Sequence, residues 1–167
     1  MRVGLGFDVH PYAPDRTLYL GGVEIPGEAG LAGHSDADVV LHAVMDALLG
    51  ALALGDIGQH FPDSDPLYRG ADSARLLERV MSMVAARGYV VGNVDVVVVA
   101  EKPRIAPHVA KMRQRMAGLL RCAVEQVSIK ATTMERLGFV GREEGMVAQA
   151  VVLLLPAAAA GHEPAGC

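Results

Sequence analysis

The stretch Gly4-Leu-Gly-Phe-Asp-Val-His10 lies in a segment, residues 1 to 10, that is predicted to form a β-strand. Residues two positions apart on a strand leave the same face of the sheet. Asp8 and His10 are therefore expected to point the same way. This arrangement pairs one carboxylate with one imidazole.

A second stretch, His34-Ser-Asp-Ala-Asp-Val-Val-Leu-His42, is predicted to open a helix that runs from Asp36 to about Ala53. Ser35 is a favourable N-cap, and the acidic residues that follow it favour the positive end of the helix dipole. An apolar run comes next. His42 is then expected about two turns inside the helix.

Asp8, His10 and His42 together form a candidate metal site. Two imidazoles and a carboxylate suit a zinc-like cation, and three protein ligands leave a fourth tetrahedral position for a substrate. The alternatives are a chance Asp-x-His motif and an ordinary hydrogen-bonded helix histidine. The number of ionisable side chains in an otherwise apolar helix favours the metal hypothesis; they are His34, Asp36, Asp38, His42 and Asp46. We expect Asp38 and Asp46, one turn either side of His42, to fix the tautomer of its ring.

Composition limits the class of protein. The 167 residues suit one domain, and 51% hydrophobic with only 4% aromatic residues predicts a core of Val, Leu, Ala and Met. A net charge of −4 argues against a general nucleic-acid surface. Cys122 and Cys167 do not make a disulfide framework. Neither a signal peptide nor a membrane span is predicted, so we expect a cytoplasmic protein.

Helices interspersed among Val-rich strands predict an α+β fold. We expect a single-domain two-layer sandwich over residues 1–155, in which a mixed β-sheet is covered on one face by helices. The predicted elements are a hairpin over 18–25, helices over 36–53, over 72–87 and from Pro107 onward, and strands over 89–100, 127–131 and 146–155. The turn-rich segment 56–66 is a candidate lid. The Ala-, Gly- and Pro-rich tail 156–167 is expected to be disordered.

Five longer motifs carry a family resemblance. They are GFDVH (6–10), AGHSDADVVLHA (32–43), LGDIGQHFPDSD (54–65), GNVD (92–95) and KATTMERLGFVGR (130–142). In this order and at this spacing they resemble the methylerythritol cyclodiphosphate synthases of non-mevalonate isoprenoid biosynthesis. The resemblance extends from residue 1 to about residue 155.

The resemblance implies a phosphorus–oxygen lyase that acts by metal-dependent intramolecular phosphoryl transfer. Its substrate would be 4-diphosphocytidyl-2-C-methyl-D-erythritol 2-phosphate, and its products 2-C-methyl-D-erythritol 2,4-cyclodiphosphate and CMP. It also implies a homotrimer with sheets packed around a threefold axis and active sites between subunits. The alternatives are a zinc phosphohydrolase with Asp56 as base, and a non-catalytic protein that binds a nucleotide or an isoprenoid diphosphate.

The resemblance also assigns roles to residues. It implies Zn²⁺ or a similar ion at Asp8, His10 and His42, and Mg²⁺ or Mn²⁺ at Glu135. His34 and Thr133 are implied to hold transition-state oxygens. The implied substrate-binding residues are Ser35, Asp56, Ile57, Gly58, Phe61, Pro62, Asp63, Ser64, Asp65, Ala100, Glu101, Lys102, Pro103, Arg104, Ile105, Ala106, Thr132, Phe139 and Arg142. From the residues alone, 130–135 is equally a capping turn, and 100–106 a basic loop that contains proline.

Two positions depart from the family pattern. Arg69 stands where the family has a lysine, which keeps the charge but not the geometry. Gln149 stands where some relatives carry an acid near the trimer axis. This change leaves open whether an isoprenoid diphosphate binds in a central cavity lined by Phe7, Phe139 and Arg142.

Overall fold

Seven strands and five α-helices make up the fold in the computed structural model, which describes residues 1–160 of the chain. The strands are β1 (Arg2–Ala13), β2 (Leu18–Leu20), β3 (Val23–Ile25), β4 (Gly30–Leu31), β5 (Tyr89–Val99), β6 (Val127–Thr132) and β7 (Gly145–Pro156). The α-helices are α1 (Val39–Ala51), α2 (Ile57–His60), α3 (Ser73–Ala86), α4 (Val109–Leu120) and α5 (Gly138–Gly141). Four short 3₁₀ turns lie at Pro66–Tyr68, Ala106–His108, Val124–Gln126 and Ala157–Ala160.

Five of the strands form one mixed sheet in the order β4-β1-β7-β5-β6. β1 and β5 each run antiparallel to β7, whereas β5 and β6 run parallel. β2 and β3 form a separate hairpin around Gly21 and Gly22, which both have positive φ angles. The predicted hairpin and the predicted α+β fold with a mixed sheet are confirmed.

Helix α1 packs directly on the middle of the sheet, because the facing residues of β1 are glycines. A Cβ atom at Gly4 would lie 1.8 Å from the carbonyl oxygen of Ala47, and one at Gly6 would lie 1.9 Å from that of Ala43. Side chains of any size are therefore excluded at both positions. The alternate residues of β1, including Asp8 and His10, share this helix-facing side.

The opposite side of β1 is apolar and exposed. Val3 and Phe7 are 66% and 59% exposed, and Leu5 and Val9 are exposed as well. Gln149, the register partner of Phe7 on β7, is also exposed on this side. An apolar face of this kind on a protein surface is typical of an interaction site.

The start of α1 differs from the prediction. The helix begins at Val39, and its N-cap is Asp38 rather than Ser35, because the Asp38 carboxylate accepts the backbone N–H groups of Val40 and Leu41. Ala37 has a φ of 59°, which interrupts any helix that starts earlier. His42 consequently lies one turn inside the helix, not two.

Other boundaries differ by a few residues. The predicted loop 56–66 contains α2, and the third long helix begins at Val109, after a 3₁₀ turn that includes Pro107. β7 continues to Pro156, which pairs with Tyr89, and a 3₁₀ turn follows it. The first five residues of the predicted disordered tail, 156–160, are therefore in regular structure, and residues 161–167 lie outside the described part of the chain.

Within residues 1–160, no helix is long and apolar enough to cross a membrane.

We predict that Gly6→Ala lowers the free energy of unfolding by about 3 kcal/mol or more, because the new methyl group forces β1 away from α1. Gly50→Ala is the matched control. Gly50 is exposed within α1, and a Cβ there has the Leu5 carbonyl oxygen as its nearest neighbour, at 3.9 Å. The control should gain about 0.5–1 kcal/mol, because alanine favours a helix over glycine. Urea denaturation of both variants measures this, and equal stabilities would contradict the packing argument.

Candidate metal centre

Three potential ligand atoms meet between β1 and α1. Asp8 Oδ2 lies 2.9 Å from His10 Nε2 and 3.0 Å from His42 Nδ1, and the two nitrogens are 3.1 Å apart. The ligand atoms of a tetrahedral zinc ion with bonds of about 2.0–2.1 Å are separated by about 3.3 Å. The triangle therefore fits a zinc-like cation after a small expansion, and the predicted convergence of the three side chains is confirmed.

The electrostatics of the triangle keep Asp8 ionised. Burial by itself raises the pKa of Asp8, but hydrogen bonds and charge from His10 and His42 outweigh it, and the pKa falls well below its ordinary value. Burial likewise lowers the pKa of His10, but the Asp8 carboxylate raises it above the usual value. Asp8 is thus held as a carboxylate, the form that a metal requires.

Hydrogen bonds on the far side of each ring set the orientation of the imidazoles. His10 Nδ1 lies 2.7 Å from the carbonyl oxygen of Ala32, so this nitrogen carries the proton and Nε2 presents its lone pair to the triangle. His42 Nε2 lies 3.0 Å from the hydroxyl oxygens of both Ser35 and Ser73. Because these hydroxyl groups bind Nε2, the other ring nitrogen of His42, Nδ1, faces Asp8.

The predicted tautomer-fixing role of Asp38 and Asp46 is wrong. Asp38 is fully buried, and its carboxylate accepts the N–H groups of Gly21 and Gly22 at 2.9 and 2.6 Å in addition to those of its own helix. Asp46 accepts the N–H of Ile57 at 2.8 Å. Helical spacing places both acids near His42 along the chain, but backbone donors from other segments satisfy them.

A cavity of about 230 Å³ opens beside the triangle. It brings together six of the other predicted site residues, namely His34, Ser35, Ile57, Gly58, Phe61 and Asp63. His34 Nε2 is buried and has no hydrogen-bond partner among residues 1–160. An unpaired buried nitrogen in a cavity is a group that a ligand can satisfy. Met45, Tyr68 and Leu76 also line the cavity, and nothing in their sequence context marks them as site residues.

Other predicted residues of the same segment lie outside the cavity lining and have local roles. The carboxylate of Asp56 caps α2 by accepting the N–H of Gln59 at 3.0 Å. Asp65 caps the following 3₁₀ turn by accepting the N–H of Leu67 at 2.9 Å. Pro62, Ser64 and Arg69 are also absent from the lining of this cavity within the described chain.

Aromatic packing joins the predicted lid, residues 56–66, to the 3₁₀ turn that follows it and to α3. The rings of Phe61 and Tyr68 meet edge to face with centroids 5.4 Å apart. The guanidinium group of Arg79 on α3 lies 5.6 Å from the Phe61 centroid and 5.8 Å from that of Tyr68. These cation–π contacts hold both cavity-lining rings from the solvent side.

The remaining predicted residues form a second cluster, on the loop after β5, the turn after β6 and α5. The Thr133 hydroxyl lies 2.9 Å from a carboxylate oxygen of Glu135, and Thr132, Thr133 and Glu135 are exposed. The Glu101 side chain is only 7% exposed and accepts the N–H groups of Met134 and Arg136, each at 3.1 Å. Glu101 therefore joins the loop to the turn.

This second cluster does not join the first within one chain. The residues in question are Ala100, Glu101, Lys102, Pro103, Arg104, Ile105, Ala106, Thr132, Thr133, Glu135, Phe139 and Arg142, and in the described part of the chain none of them lines the metal-centre cavity. Lys102 pairs with Glu143 at 3.0 Å, and Arg142 with Glu144 at 2.8 Å. Within one chain, these predicted residues and those of the metal-centre cavity thus form two separate groups.

Comparison with known proteins identifies the family. The model of the YgbB family matches residues 1–155. The chain belongs to the YgbB family. The 2-C-methyl-D-erythritol 2,4-cyclodiphosphate synthase of Trichlorobacter lovleyi is 56% identical over 156 residues, which cover 93% of this chain and 99% of that relative. The family resemblance found in the sequence motifs is confirmed.

Solved structures with the same fold are also similar in sequence to this chain. The bifunctional IspDF of Campylobacter jejuni superposes with a TM-score of 0.88 at 40% identity, and the match covers 92% of this chain and 42% of that chain. The present chain therefore corresponds to less than half of that bifunctional protein. The CDP complex of IspF from Plasmodium falciparum superposes with a TM-score of 0.82 at 34% identity, covering 93% of this chain and 96% of that chain.

We predict that His42→Ala abolishes stoichiometric zinc binding but leaves the secondary structure unchanged, because it removes one of three ligands and not a large part of the core. His108→Ala, at a histidine outside the metal triangle, is the matched control and should keep its zinc. Zinc content after dialysis, together with circular dichroism, measures the effect. Full zinc occupancy in folded His42→Ala protein would disprove the assignment.

Proposed function

We propose that this chain is a cytoplasmic phosphorus–oxygen lyase that converts 4-diphosphocytidyl-2-C-methyl-D-erythritol 2-phosphate into 2-C-methyl-D-erythritol 2,4-cyclodiphosphate and CMP. The observation that carries the proposal is the cavity that joins the Asp8, His10 and His42 triangle to the buried Nε2 of His34, which has no hydrogen-bond partner within residues 1–160. The 56% identity to a cyclodiphosphate synthase over nearly the full length of both proteins supports it.

The reaction needs two anionic groups of one molecule to meet. An oxygen of the 2-phosphate forms a bond to the β-phosphorus, the bond from that phosphorus to the bridging oxygen breaks, and CMP leaves with the electron pair. No protein nucleophile is required for this exchange. Positioning and charge stabilisation therefore supply the catalysis, as is general for phosphoryl transfer.

The metal triangle matches the first requirement, which is to offset the charge of the phosphates. Asp8, His10 and His42 would hold a zinc-like cation, which supplies positive charge and polarises the β-phosphate when bound. His34 Nε2, buried beside the triangle, would donate a hydrogen bond to a phosphate oxygen as charge develops there. The Phe61 and Tyr68 rings would limit the access of water to the same cavity.

The second cluster suits the nucleotide end of the substrate. Glu135 offers an exposed carboxylate beside the Thr133 hydroxyl, and oxygen donors of this kind suit Mg²⁺ or Mn²⁺ and phosphate oxygens. IspF of Plasmodium falciparum forms a CDP complex, which supports the proposal of a cytidine-nucleotide site in this chain. We assign the loop 100–106 to the cytidine on this basis.

The separation of the two clusters leads us to propose a homotrimer. A heterologous contact that repeats around a threefold axis would place the metal half of one subunit against the nucleotide half of the next. The apolar face of β1, with Val3, Leu5 and Phe7 exposed, supplies a surface that such packing would bury. One arrangement then accounts for both the divided site and the exposed face.

Phosphorus NMR of the substrate with the zinc- and magnesium-loaded protein tests the activity. We expect resonances of a cyclic diphosphate and of CMP, with no inorganic phosphate, and no turnover by the Asp8→Asn variant, because a neutral amide is a poorer metal ligand. Release of inorganic phosphate or of hydrolysed nucleotide would instead indicate a zinc phosphohydrolase. Absence of turnover in wild-type protein of verified metal content would indicate a binding protein.

We predict that His42→Ala and Glu135→Ala proteins, each inactive alone, regain activity when they are unfolded and refolded together. With equal amounts and random assembly, an intact metal half meets an intact nucleotide half at about one half times one half, or about one quarter, of the interfaces. The measurement is the steady-state rate of the mixture relative to wild type. No recovery in a mixture shown by mass spectrometry to contain mixed trimers would mean that each subunit builds its site alone.

A further inference from the structure

A buried chain of hydrogen bonds extends from the back of His42 to Asp36. Ser73 is the first residue of α3 and is fully buried, and its hydroxyl oxygen lies 3.0 Å from His42 Nε2. The same hydroxyl donates to Asp36 Oδ1, and the Ser73 backbone N–H donates to Asp36 Oδ2 at 3.0 Å. Asp36 therefore binds both polar groups of Ser73.

Counting protons fixes the direction of each hydrogen bond. A carboxylate can only accept, so the single hydroxyl proton of Ser73 is used in the bond to Asp36. The Ser73 oxygen is left as an acceptor towards His42, and His42 must then carry its proton on Nε2. His42 Nδ1 is consequently the unprotonated nitrogen, and it faces Asp8 at 3.0 Å.

We propose that Asp36 and Ser73 are positioning residues of the metal centre. Asp36 orients the Ser73 hydroxyl, and Ser73 holds His42 in the tautomer and rotation that present Nδ1 to the cation. This inference rests on the metal centre of the proposed function. A hydrogen-bond partner on the outer nitrogen of a ligating histidine commonly changes metal affinity by about 10- to 100-fold.

Ser35 acts as a second acceptor for the same nitrogen. Its hydroxyl oxygen lies 3.0 Å from His42 Nε2 and accepts the N–H of Ala37 at 3.1 Å. Its own proton is directed to no carboxylate, and the Ser73 oxygen lies 3.4 Å away. Among the described residues, no carboxylate fixes the proton of Ser35 as Asp36 fixes that of Ser73. Ser73 is therefore the better-defined acceptor for His42 Nε2, and Ser35 can partly replace it.

The positions of these residues in the fold link the metal centre to the segment just before α3. The Asp36 N–H donates to the carbonyl oxygen of Ala71 at 3.0 Å, and the Gly70 N–H donates to that of His34 at 2.8 Å. The loop that carries His34 and Asp36 is thereby tied to the chain just before α3. A structural role for Ser73 at the start of α3 is the competing interpretation, and it predicts a change in stability with no change in metal affinity.

The test measures the affinity for Zn²⁺ alone, by competition with a chelator in the absence of substrate. Ser73→Ala should weaken zinc binding about threefold to tenfold, because Ser35 still accepts from His42. The double variant Ser35→Ala/Ser73→Ala should weaken it about 10- to 100-fold. Ser82→Ala is the matched control, since Ser82 is exposed on the same helix and its hydroxyl donates only to the Glu78 carbonyl. We expect the control to bind zinc like wild type.

A second readout excludes a purely structural effect. The visible spectrum of the Co²⁺-substituted protein reports ligand geometry, and it should shift in Ser73→Ala but not in Ser82→Ala. If Ser73→Ala does not fold, Asp36→Asn provides the same test, because a neutral amide binds the hydroxyl more weakly and should reduce zinc affinity about threefold.

Two outcomes would overturn the inference in distinguishable ways. Zinc affinities of Ser73→Ala and of the double variant within about twofold of wild type, in folded protein, would remove the positioning role and leave the proposed enzyme intact. Failure of the wild-type protein to bind zinc at all would remove the metal centre itself, and the inference with it.

Discussion

The close approach of β1 and α1 is the constraint on which the site depends. Gly4 and Gly6 let the strand backbone touch the helix carbonyl groups of Ala47 and Ala43, and no side chain fits between them. His42 precedes Ala43 directly, so its ring reaches across this short gap to Asp8, at 3.0 Å. A wider separation of helix and strand would leave the imidazole too far from the carboxylate to share a cation with it.

A buried carboxylate holds the start of the same helix in place. Burial raises the pKa of Asp38, and the N–H groups of Gly22, Leu41 and Gly21 oppose that shift. The turn of the β2–β3 hairpin and the first turn of α1 thus bind one side chain.

Local sequence patterns predicted the long strands, the long helices and the convergence of Asp8, His10 and His42, because strand and helix periods determine which side chains share a face. They did not predict the short elements β4, α2 and α5. Contacts between residues far apart in the sequence could not be predicted from these local patterns. The sequence predicts an N-cap at Ser35, because neither the left-handed conformation of Ala37 nor the N–H donors of Gly21 and Gly22 has a local sequence signal. Ser73 was missed for the same reason: its partner His42 lies thirty-one positions earlier.

The two faces of β1 connect assembly to the metal centre. One face presents Asp8 and His10 to α1, and the other presents Val3, Leu5 and Phe7 to the surroundings. The proposed trimer would bury the second face, so that packing on both faces would restrict β1 and the Asp8 and His10 side chains before a cation binds. A cation that binds the ordered strand more tightly favours the assembled state by the same free energy, because linkage is reciprocal. Metal binding and the proposed oligomerisation would then be coupled through the ordering of one strand.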